Sequence, residues 1–505
     1  MSDLPRRFRV NVATNYLGTA TAIVVALVVT PVLVHGLGKV EYGIWVLVGS
    51  TVLYLDLFNL GFSRATVKYV AEQHAAGDLE RVRRTIATSF LVLSVPAAFA
   101  LAVSVGIAFA FPHLFSLPHR LAMPATVLVI LIATDLVISI PGDTFGGTLI
   151  ALQRYDLLNA TLVTVTIAQA IAWTIVLEAG GGLVALGVVT VALSLAGQVA
   201  RYLLARRLIP GISISRRLFD RSFVRPLAAL SGWIAVFEMA RVVIARMDTI
   251  VVGLVVGIPA AAVYAVGQKL ALLAGRMVQP AIQTFFPHAA ELAARGEELA
   301  LRRMIRSGTR ISFGIALPVA LVLMVLAGPA VRAWVGPKFD NATLVVVFLA
   351  GGTLVSAMTE AGVHVLRGAG EARGPGMIVV LEAVLNLTLS VVLGIALGIK
   401  GVALATLAAA ATVHLGLLLP YLCRRFGVSV RSLLAAVARA HLPPAGAALA
   451  VGWLIRRDDL EGLGQVTGAG AAILATYLVA FVMTGLAADE RRRLLARVRQ
   501  QFSVG

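Results

Sequence analysis

Long apolar stretches follow one another along almost the whole chain, and this feature constrains the fold more than any other. A helix needs about 20 mostly apolar residues to cross a bilayer. The predicted spans cover residues 11–34, 40–62, 85–111, 121–147, 157–178, 182–205, 227–256, 258–287, 309–333, 342–366, 376–398, 400–423, 440–455 and 465–487. The sequence therefore predicts an all-α integral membrane protein with about 14 transmembrane helices.

Composition excludes a soluble domain and a nucleic-acid-binding protein. Hydrophobic residues make up 59% of the chain and charged residues only 13%, whereas about a quarter of the residues of a soluble domain are charged. The formal net charge is +18, but the basic residues lie in short clusters between the apolar runs. We therefore expect the bilayer to be the partner of this charge, with no nucleic acid bound.

The distribution of basic residues predicts the orientation of the spans. Cytoplasmic loops of membrane proteins carry an excess of lysine and arginine. With an even number of spans and cytoplasmic termini, most of the 43 such residues fall in predicted cytoplasmic segments. Examples are Arg83, Arg84, Arg206, Arg207, Arg302, Arg303, Arg491 and Arg492. We predict a multi-pass protein of the plasma membrane with both termini in the cytoplasm.

An internal repeat predicts how the spans are grouped. The segment GLGKVEYGIW (36–45) has a counterpart in GLVVGIPAAAVYAVGQK (253–269), and Tyr42 and Tyr264 occupy matching places. Six spans separate the two positions, so the halves have the same orientation. The predicted parts are an N-terminal six-helix bundle (1–210), a C-terminal six-helix bundle (211–425) and an extra helix pair with a basic tail (426–505).

Seven predicted spans carry a stripe of polar residues, which suggests a shared interior that water reaches. Polar groups within a bilayer are costly and often functional. The eighth span carries Lys269, Arg276, Gln279 and Gln283 along one face, with no acidic partner there. Arg241 lies near the middle of the seventh span. These cations suggest an anionic ligand, and we predict Arg241, Lys269 and Arg276 as its binding residues.

The remaining stripes have two interpretations. Asn15 and Asn59, with Gln279 and Gln283, are predicted to line the cavity, and four acidic residues are candidates for binding a driving ion: Asp56, Asp135, Asp248 and Glu360. Alternatively, such groups hold helices together, and Glu238 with Arg241 is a structural ion pair. We interpret His364 and His414 as packing histidines.

Sequence motifs of enzymes and cofactor sites are missing. The chain has no Ser/His/Asp arrangement and no H-E-x-x-H or C-x-x-C motif, and its single cysteine, Cys423, excludes a cysteine-based metal site. The glycine-rich segment GAGEARGPG (368–376) links two spans, without a preceding strand or a G-K-[ST] ending. We therefore expect neither catalysis nor a cofactor nor a metal.

Three segments resemble a known family. The runs GLGKVEYGIWVLVGSTVLYLDLFNLGFSRATVKYVAEQ (36–73), GGTLIALQRYDLLNA (146–160) and LSGWIAVFEMARVVIARMDTIVVGLVVGIPAAAVYAVGQKL (230–270) resemble bacterial polysaccharide flippases. These are the O-antigen and exopolysaccharide translocases of the multidrug/oligosaccharidyl-lipid/polysaccharide exporter superfamily. The likeness covers roughly residues 10–425.

The resemblance implies a fold and a substrate. The two bundles would form a V around a central cavity, and the substrate would be a polyprenyl-pyrophosphate-linked oligosaccharide moved to the outer leaflet for cell-surface polysaccharide synthesis. Lys269, Arg276 and Arg241 would then receive the pyrophosphate, since arginine suits paired contacts with phosphate oxygens. A coupling proton or sodium ion and glycan polymerase or export proteins are further expected partners.

Alternative functions remain within and beyond this superfamily. A lipid II flippase would carry arginines in its first two spans, which here have none before Arg64 except Arg9 at the edge of the first. A cation-coupled multidrug exporter often has an acidic residue in the first span, and residues 11–34 contain none. A membrane scaffold for a glycan polymerase gains little from so many charges within its spans.

Overall fold

A computed structural model describes residues 6–52, 54–55, 62–224, 232–455, 460–486 and 491. Within these residues the regular secondary structure is entirely helical. Twelve of the helices there are long and apolar enough to cross a membrane. The all-α prediction is therefore confirmed for the described part of the chain.

The helices of the first half mostly coincide with the long apolar stretches of the sequence. They are α1 (Arg6–Val52), α2 (Phe62–Ala75), α3 (Leu79–Leu114), α4 (His119–Ala151), α5 (Tyr155–Glu178), α6 (Leu183–Leu208) and α7 (Gly232–Val255). Asp78 begins α3 by accepting a hydrogen bond from the backbone N–H of Arg81, which satisfies one of the free donors at a helix N-terminus.

The second half continues the same pattern with shorter interruptions. Its helices are α8 (Ile258–Gln283), α9 (Phe285–Ala294), α10 (Glu298–Val325), α11 (Ala327–Val335), α12 (Ala342–Gly368), α13 (Arg373–Leu397), α14 (Ile399–Ala410), α15 (Leu419–Arg425), α16 (Val430–Ile455) and α17 (Leu463–Ala480). Two π-helical segments, Ala411–Leu418 and Phe481–Gly485, connect or extend them.

The first two predicted spans meet inside α1. Gly38 has φ 72° and ψ 174°, a non-helical conformation between two helical stretches. A positive φ of this size favours glycine, because a side chain would be strained there. The break between the predicted spans 11–34 and 40–62 therefore lies at Gly38. The count of fourteen spans stays a prediction, as do the bundle arrangement and the V shape.

Two predicted span boundaries are wrong. The thirteenth span was expected to begin at residue 440, but α16 begins at Val430 and includes Pro443 and Pro444. Proline is tolerated in membrane helices when neighbouring groups satisfy the freed backbone carbonyls. The ninth span was expected over 309–333, whereas α10 ends at Val325 and α11 follows after Leu326.

Helix packing divides the chain into two compact units, residues 1–262 and 263–505. In the first unit α3 packs on α4, α4 on α6, and α1 on α5 and α7. In the second unit α10 packs on α12, and α13 and α12 pack on α14. The division follows packing rather than the repeat, so the predicted parts 1–210, 211–425 and 426–505 stay predictions.

The C-terminal helix pair packs within the second unit. Leu317 and Leu321 of α10 form a buried cluster with Ala448 of α16 and with Ile473 and Tyr477 of α17. Many other large side chains of this pair are exposed, as expected for a surface that lipid covers. The pair is thus attached to its unit by one apolar face.

Candidate functional site

Helix α8 has a packing face and a polar face on opposite sides. Consecutive residues of a helix are about 100° apart, which places Gly267, Ala274, Val278 and Ile282 on one side. Ala274, Val278 and Ile282 are buried, with exposed fractions of 0%, 3% and 0%. The predicted stripe lies roughly opposite, over the residues Lys269, Arg276, Gln279 and Gln283. The helix therefore brings the four predicted residues together on its less packed side.

The packing face of α8 lies against α12 and α10. Val278 and Ile282 share a buried cluster with Ala316 of α10 and with Ala357 and Ala361 of α12. The small residues allow a close approach of the helices, which is common in membrane bundles. This contact fixes the rotation of α8 about its axis and hence the direction of its polar stripe.

The members of the stripe differ in burial. Arg276 and Gln283 are exposed, whereas Lys269 and Gln279 are half-buried. Lys269 has polar or electrostatic partners of its own. Within the described residues, no ion pair or hydrogen bond engages the guanidinium of Arg276. An exposed cation inside a membrane-length apolar helix is costly. Of the four residues of the stripe, Arg276 therefore gives the strongest indication of a ligand-binding role.

Arg241 and Asp248 lie on α7 in the first unit. Arg241 is half-buried and Asp248 is 1% exposed, and both have partners. The hydroxyl of Tyr54 donates to the backbone carbonyl of Val243 on the same helix, at 3.3 Å. That Arg241 shares a cavity with Lys269 and Arg276 stays a prediction.

Asp135 lines a small polar cavity between α4, α5 and α6. The cavity has a volume of about 150 Å³. Its polar lining consists of Asp135, Thr161, Thr166, Gln169, Thr190, Ser194 and Arg201. The hydroxyl groups of Ser139 and Ser194 hydrogen-bond to each other at 3.2 Å, and the Oδ1 atom of Asp135 is buried without a hydrogen-bond partner among the described residues. Of the predicted ion-binding residues, Asp135 thus has the clearest site.

Arg201 is a neighbour of this cavity that the sequence did not single out. Its Nη1 atom lies 3.5 Å from Oδ1 of Asp143, and its side chain is 14% exposed. With the amide of Gln198 oriented to satisfy both neighbours, its nitrogen donates to the carbonyl of Gly142 and its oxygen accepts from Arg201. The spacing of Ser194, Gln198 and Arg201 on one helical face is the signal that would have found it.

The other predicted residues are placed separately. Asn15 accepts a hydrogen bond from the side chain of Asn159 at 2.7 Å, which joins α1 to α5 as the helix-packing interpretation expects. Glu360 is half-buried on α12 and has partners. Asp56 and Asn59 lie outside the described residues.

A second buried polar cluster lies in the second unit. Nε2 of His414 is 3.3 Å from Oε2 of Glu382, and Nδ1 is 2.5 Å from Oγ1 of Thr359. The sequence predicts a packing histidine at His414, because it shows no second ligand at metal spacing. The partner is on another helix, so periodicity along one helix could not reveal it.

The described residues lack a cluster of metal-ligating side chains. They contain no group of three or more histidine, cysteine, aspartate or glutamate side chains placed to hold a metal ion. Cys423 is buried as a free thiol. The candidate site is thus the cationic stripe of α8, with the Asp135 cavity as a separate polar site.

Comparison with known proteins identifies relatives in polysaccharide synthesis. The family model described as "Polysaccharide biosynthesis protein" matches residues 9–293. The uncharacterized membrane protein EpsK of Bacillus subtilis (strain 168) is 22% identical over 417 residues, 79% of this chain and 80% of EpsK. The probable low-salt glycan biosynthesis flippase Agl15 of Haloferax volcanii is 26% identical over 202 residues, 39% of this chain and 40% of Agl15.

A solved structure identifies the fold. The lipid II flippase MurJ in an inward closed conformation matches with a TM-score of 0.71 at 13% sequence identity. The match covers 94% of this chain and 99% of MurJ. Identity this low shows the fold alone. The predicted all-α integral membrane fold is confirmed, and the family match over residues 9–293 confirms the resemblance to proteins of polysaccharide biosynthesis.

Proposed function

The chain belongs to the polysaccharide biosynthesis protein family, and from this we propose that it is a flippase for a lipid-linked oligosaccharide. The substrate is a polyprenyl pyrophosphate carrying a glycan. Alternating access moves it from the inner to the outer leaflet of a bacterial plasma membrane, with both termini of the protein in the cytoplasm. The protein moves this substrate without changing its covalent structure.

The cationic stripe of α8 carries the proposal. A pyrophosphate is a strong anion, and hydrocarbon offers it no hydration. Arg276 presents an exposed guanidinium on the side of α8 opposite its packing face, and Lys269 lies two turns earlier on the same side. Guanidinium groups bind phosphate oxygens in pairs. The stripe can therefore replace part of the hydration that the pyrophosphate loses.

The neighbouring amides extend the site toward the sugar. Gln279 and Gln283 follow Arg276 by one and two turns on α8, and an amide offers both donors and an acceptor to sugar hydroxyls. Arg241 is the third cation that we assign to the pyrophosphate. The polyprenyl tail stays in the lipid, because its transfer into a wet cavity would expose apolar surface.

A driving ion is a separate part of the proposal. Asp135 has a buried carboxyl oxygen without a partner among the described residues, beside a cavity large enough for water or a small cation. Asp248 and Glu360 are engaged with other groups, which favours Asp135 among the described candidates. Asp56 remains a candidate from the sequence alone.

Binding to purified protein tests the substrate. A polyprenyl-pyrophosphate oligosaccharide is added to the wild type and to the Lys269→Ala/Arg276→Ala variant, and the Kd of each is measured. Each hydrogen bond to a charged group contributes about 1.5–3 kcal/mol, so we expect the double variant to bind at least about tenfold more weakly. Arg207→Ala, which removes an exposed arginine from the end of α6, is the matched control.

The outcomes separate the site from the function. Equal binding by the double variant and the wild type would place the pyrophosphate elsewhere. A folded wild type that binds a cationic drug and no pyrophosphate lipid would contradict the flippase proposal and favour a multidrug exporter. Tighter binding of lipid II than of other pyrophosphate lipids would favour the lipid II flippase.

A further inference from the structure

Three helical elements of the second unit each contribute one polar group to a buried cluster. Glu382 comes from α13, His414 from the π-helical segment and Thr359 from α12. Glu382 and His414 are each 7% exposed and Thr359 is 0% exposed. Their contacts of 3.3 Å and 2.5 Å to the imidazole place the ring between a carboxyl group and a hydroxyl group.

The local backbone around His414 is unusual. The segment Ala411–Leu418 is π-helical, and His414 is its only ionisable residue. In a π-helix each backbone N–H bonds to the carbonyl five residues earlier. Such turns are rare in proteins, and those that occur are often found at functional sites. The wider turn therefore coincides with the position where the π-helical segment presents the imidazole of His414 to the carboxyl group of Glu382.

The polar character continues along α13. Asn386 and Ser390 follow Glu382 at intervals of four residues and are 1% and 0% exposed. The hydroxyl of Ser390 donates to Oδ1 of Asn386 at 3.4 Å. A buried polar row thus extends two turns from the carboxyl group, within a helix whose other face is apolar.

The hydrogen bonds of the cluster allow two proton counts without moving its heavy atoms. The hydroxyl of Thr359 lies 3.2 Å from the carbonyl oxygen of Ser356. If it donates there, Nδ1–H of His414 donates to Oγ1, Nε2–H donates to the carboxylate, and the ring is an imidazolium. If the hydroxyl turns to donate to Nδ1, the ring keeps one proton, on Nε2, and is neutral. Rotation of one hydroxyl group therefore accompanies the gain or loss of one proton.

Other charged groups on the packed elements have their own surroundings. The π-helical segment packs against α12, α13, α14 and α15. In the described part of the chain, Glu382 is the one acidic group at ion-pair distance from His414. The remaining titratable groups of these elements are Glu360, His364, Arg367, Arg373, Lys400, Tyr421, Cys423, Arg424 and Arg425. Glu360, His364, Arg367 and Arg373 have other partners, and Arg425 pairs with Glu371 and Glu298.

We propose that Glu382, His414 and Thr359 form a proton-binding site that gains and loses one proton in each transport cycle. The deprotonated state holds a neutral imidazole and a carboxylate, with a net charge of −1. The protonated state is neutral overall, with an imidazolium beside the carboxylate. This proposal rests on the proposed transport function and adds a proton-binding site in the second unit, separate from the Asp135 cavity of the first unit.

Because the cluster is buried, its protonation state affects the conformational equilibrium of the surrounding helices. A net charge enclosed among membrane helices is costly, whereas a neutral pair costs less. The two protonation states therefore favour different arrangements of the helices that hold the pair. A ligand shifts a conformational equilibrium only by its differential affinity for the two states, and a proton bound here has such a difference.

Nuclear magnetic resonance of the histidine rings tests proton binding without transport. The protein is labelled with ¹⁵N-histidine in lipid nanodiscs, and His414→Gln assigns its signals among the eight histidines of the chain. We expect the ring signals of His414 to show both the neutral and the protonated ring in the wild type. In Glu382→Gln the neutral ring should be favoured, because the carboxylate beside the imidazolium is gone. A His414 ring that keeps one protonation state in the wild type would overturn the proposal.

Transport under a pH gradient tests the coupling. Proteoliposomes report movement of a polyprenyl-pyrophosphate oligosaccharide with and without a gradient, for the wild type and for Glu382→Gln/His414→Gln. The double variant replaces the pair by two amides and leaves no buried charge unpaired. We expect it to move substrate without a gradient and to lose at least tenfold of any acceleration by the gradient.

The control and the remaining outcomes keep the two proposals apart. His441→Gln removes a buried imidazole that contacts Tyr477 and a backbone carbonyl instead of a carboxylate, and it should keep the gradient response. A double variant that responds to the gradient like the wild type would overturn the proton site while the flippase stands. Titration of His414 that depends on Glu382, in a protein that moves no lipid-linked glycan, would support the proton site and contradict the flippase.

Discussion

A methyl group on Gly267 would lie 2.8 Å from the side chain of Val345. The same position is 3.1 Å from the backbone carbonyl of Ala342, so α8 and α12 meet where α8 has no Cβ atom. This approach sets the rotation of α8 and hence the direction in which Lys269 and Arg276 point. The geometry of the candidate site thus depends on a contact on the opposite side of its helix.

Gly267→Ala is therefore expected to destabilise the second unit. Overpacking of a tight contact costs about 1–3 kcal/mol, which exceeds the gain of up to about 1 kcal/mol from replacing a helical glycine by alanine. The apparent melting temperature in detergent or nanodiscs measures the change. Gly446→Ala is the control, because its Cβ atom would have no neighbour within 4 Å. A Gly267→Ala variant as stable as the control would show that α8 and α12 can separate without cost.

Arg276→Lys is expected to weaken substrate binding without abolishing it. The lysine keeps the positive charge but loses the planar pair of donors that matches two phosphate oxygens. A loss of about 1.4 kcal/mol would raise the Kd about tenfold, with a larger loss for Arg276→Ala. Isothermal titration with the pyrophosphate lipid measures both variants. Arg207→Lys should bind as the wild type does. Equal affinities of the wild type, Arg276→Lys and Arg276→Ala would show that Arg276 does not belong to the site.

The sequence predicted the elements of this fold well because lipid imposes a simple rule on length and polarity. Each membrane-length helix among the described residues overlaps a predicted span. The errors lie at the starts of two spans. The thirteenth span is predicted from residue 440, yet α16 begins at Val430 and passes through Pro443 and Pro444. The ninth span is predicted from residue 309, although α10 begins at Glu298.

A site whose residues lie on one helix can be predicted from their spacing in the sequence, whereas a site that joins two helices cannot. The stripe of α8 comes from one helix, so its spacing in the sequence was sufficient to find it. The pairing of Glu382 with His414 joins two helices, as does the contact of Arg201 with Asp143. Such pairs depend on how helices are rotated against each other, which small packing residues such as Gly267 determine.

Asp135→Asn is expected to preserve the fold and to reveal whether the Asp135 cavity binds a driving ion. The amide retains the shape of the carboxyl group, while it removes the charge. We expect a melting temperature within a few degrees of the wild type. If a cation binds here, acceleration of transport by a sodium or proton gradient should fall by about tenfold or more. Unchanged acceleration would leave Asp135 a structural residue.

The contact of Arg201 with Asp143 is expected to stabilise the first unit modestly. Arg201→Met keeps much of the side-chain volume but leaves Asp143 and Gln198 without their cationic partner. Since the Asp143 side chain is 38% exposed, water compensates part of the loss, and we expect about 1–2 kcal/mol rather than the larger cost of a fully buried pair. A double-mutant cycle with Asp143→Asn isolates the pairwise energy. The free energy of unfolding is measured by equilibrium unfolding. A coupling energy near zero would assign the loss to the contact with Gln198. A wild-type free energy of unfolding in Arg201→Lys would indicate that charge alone is needed.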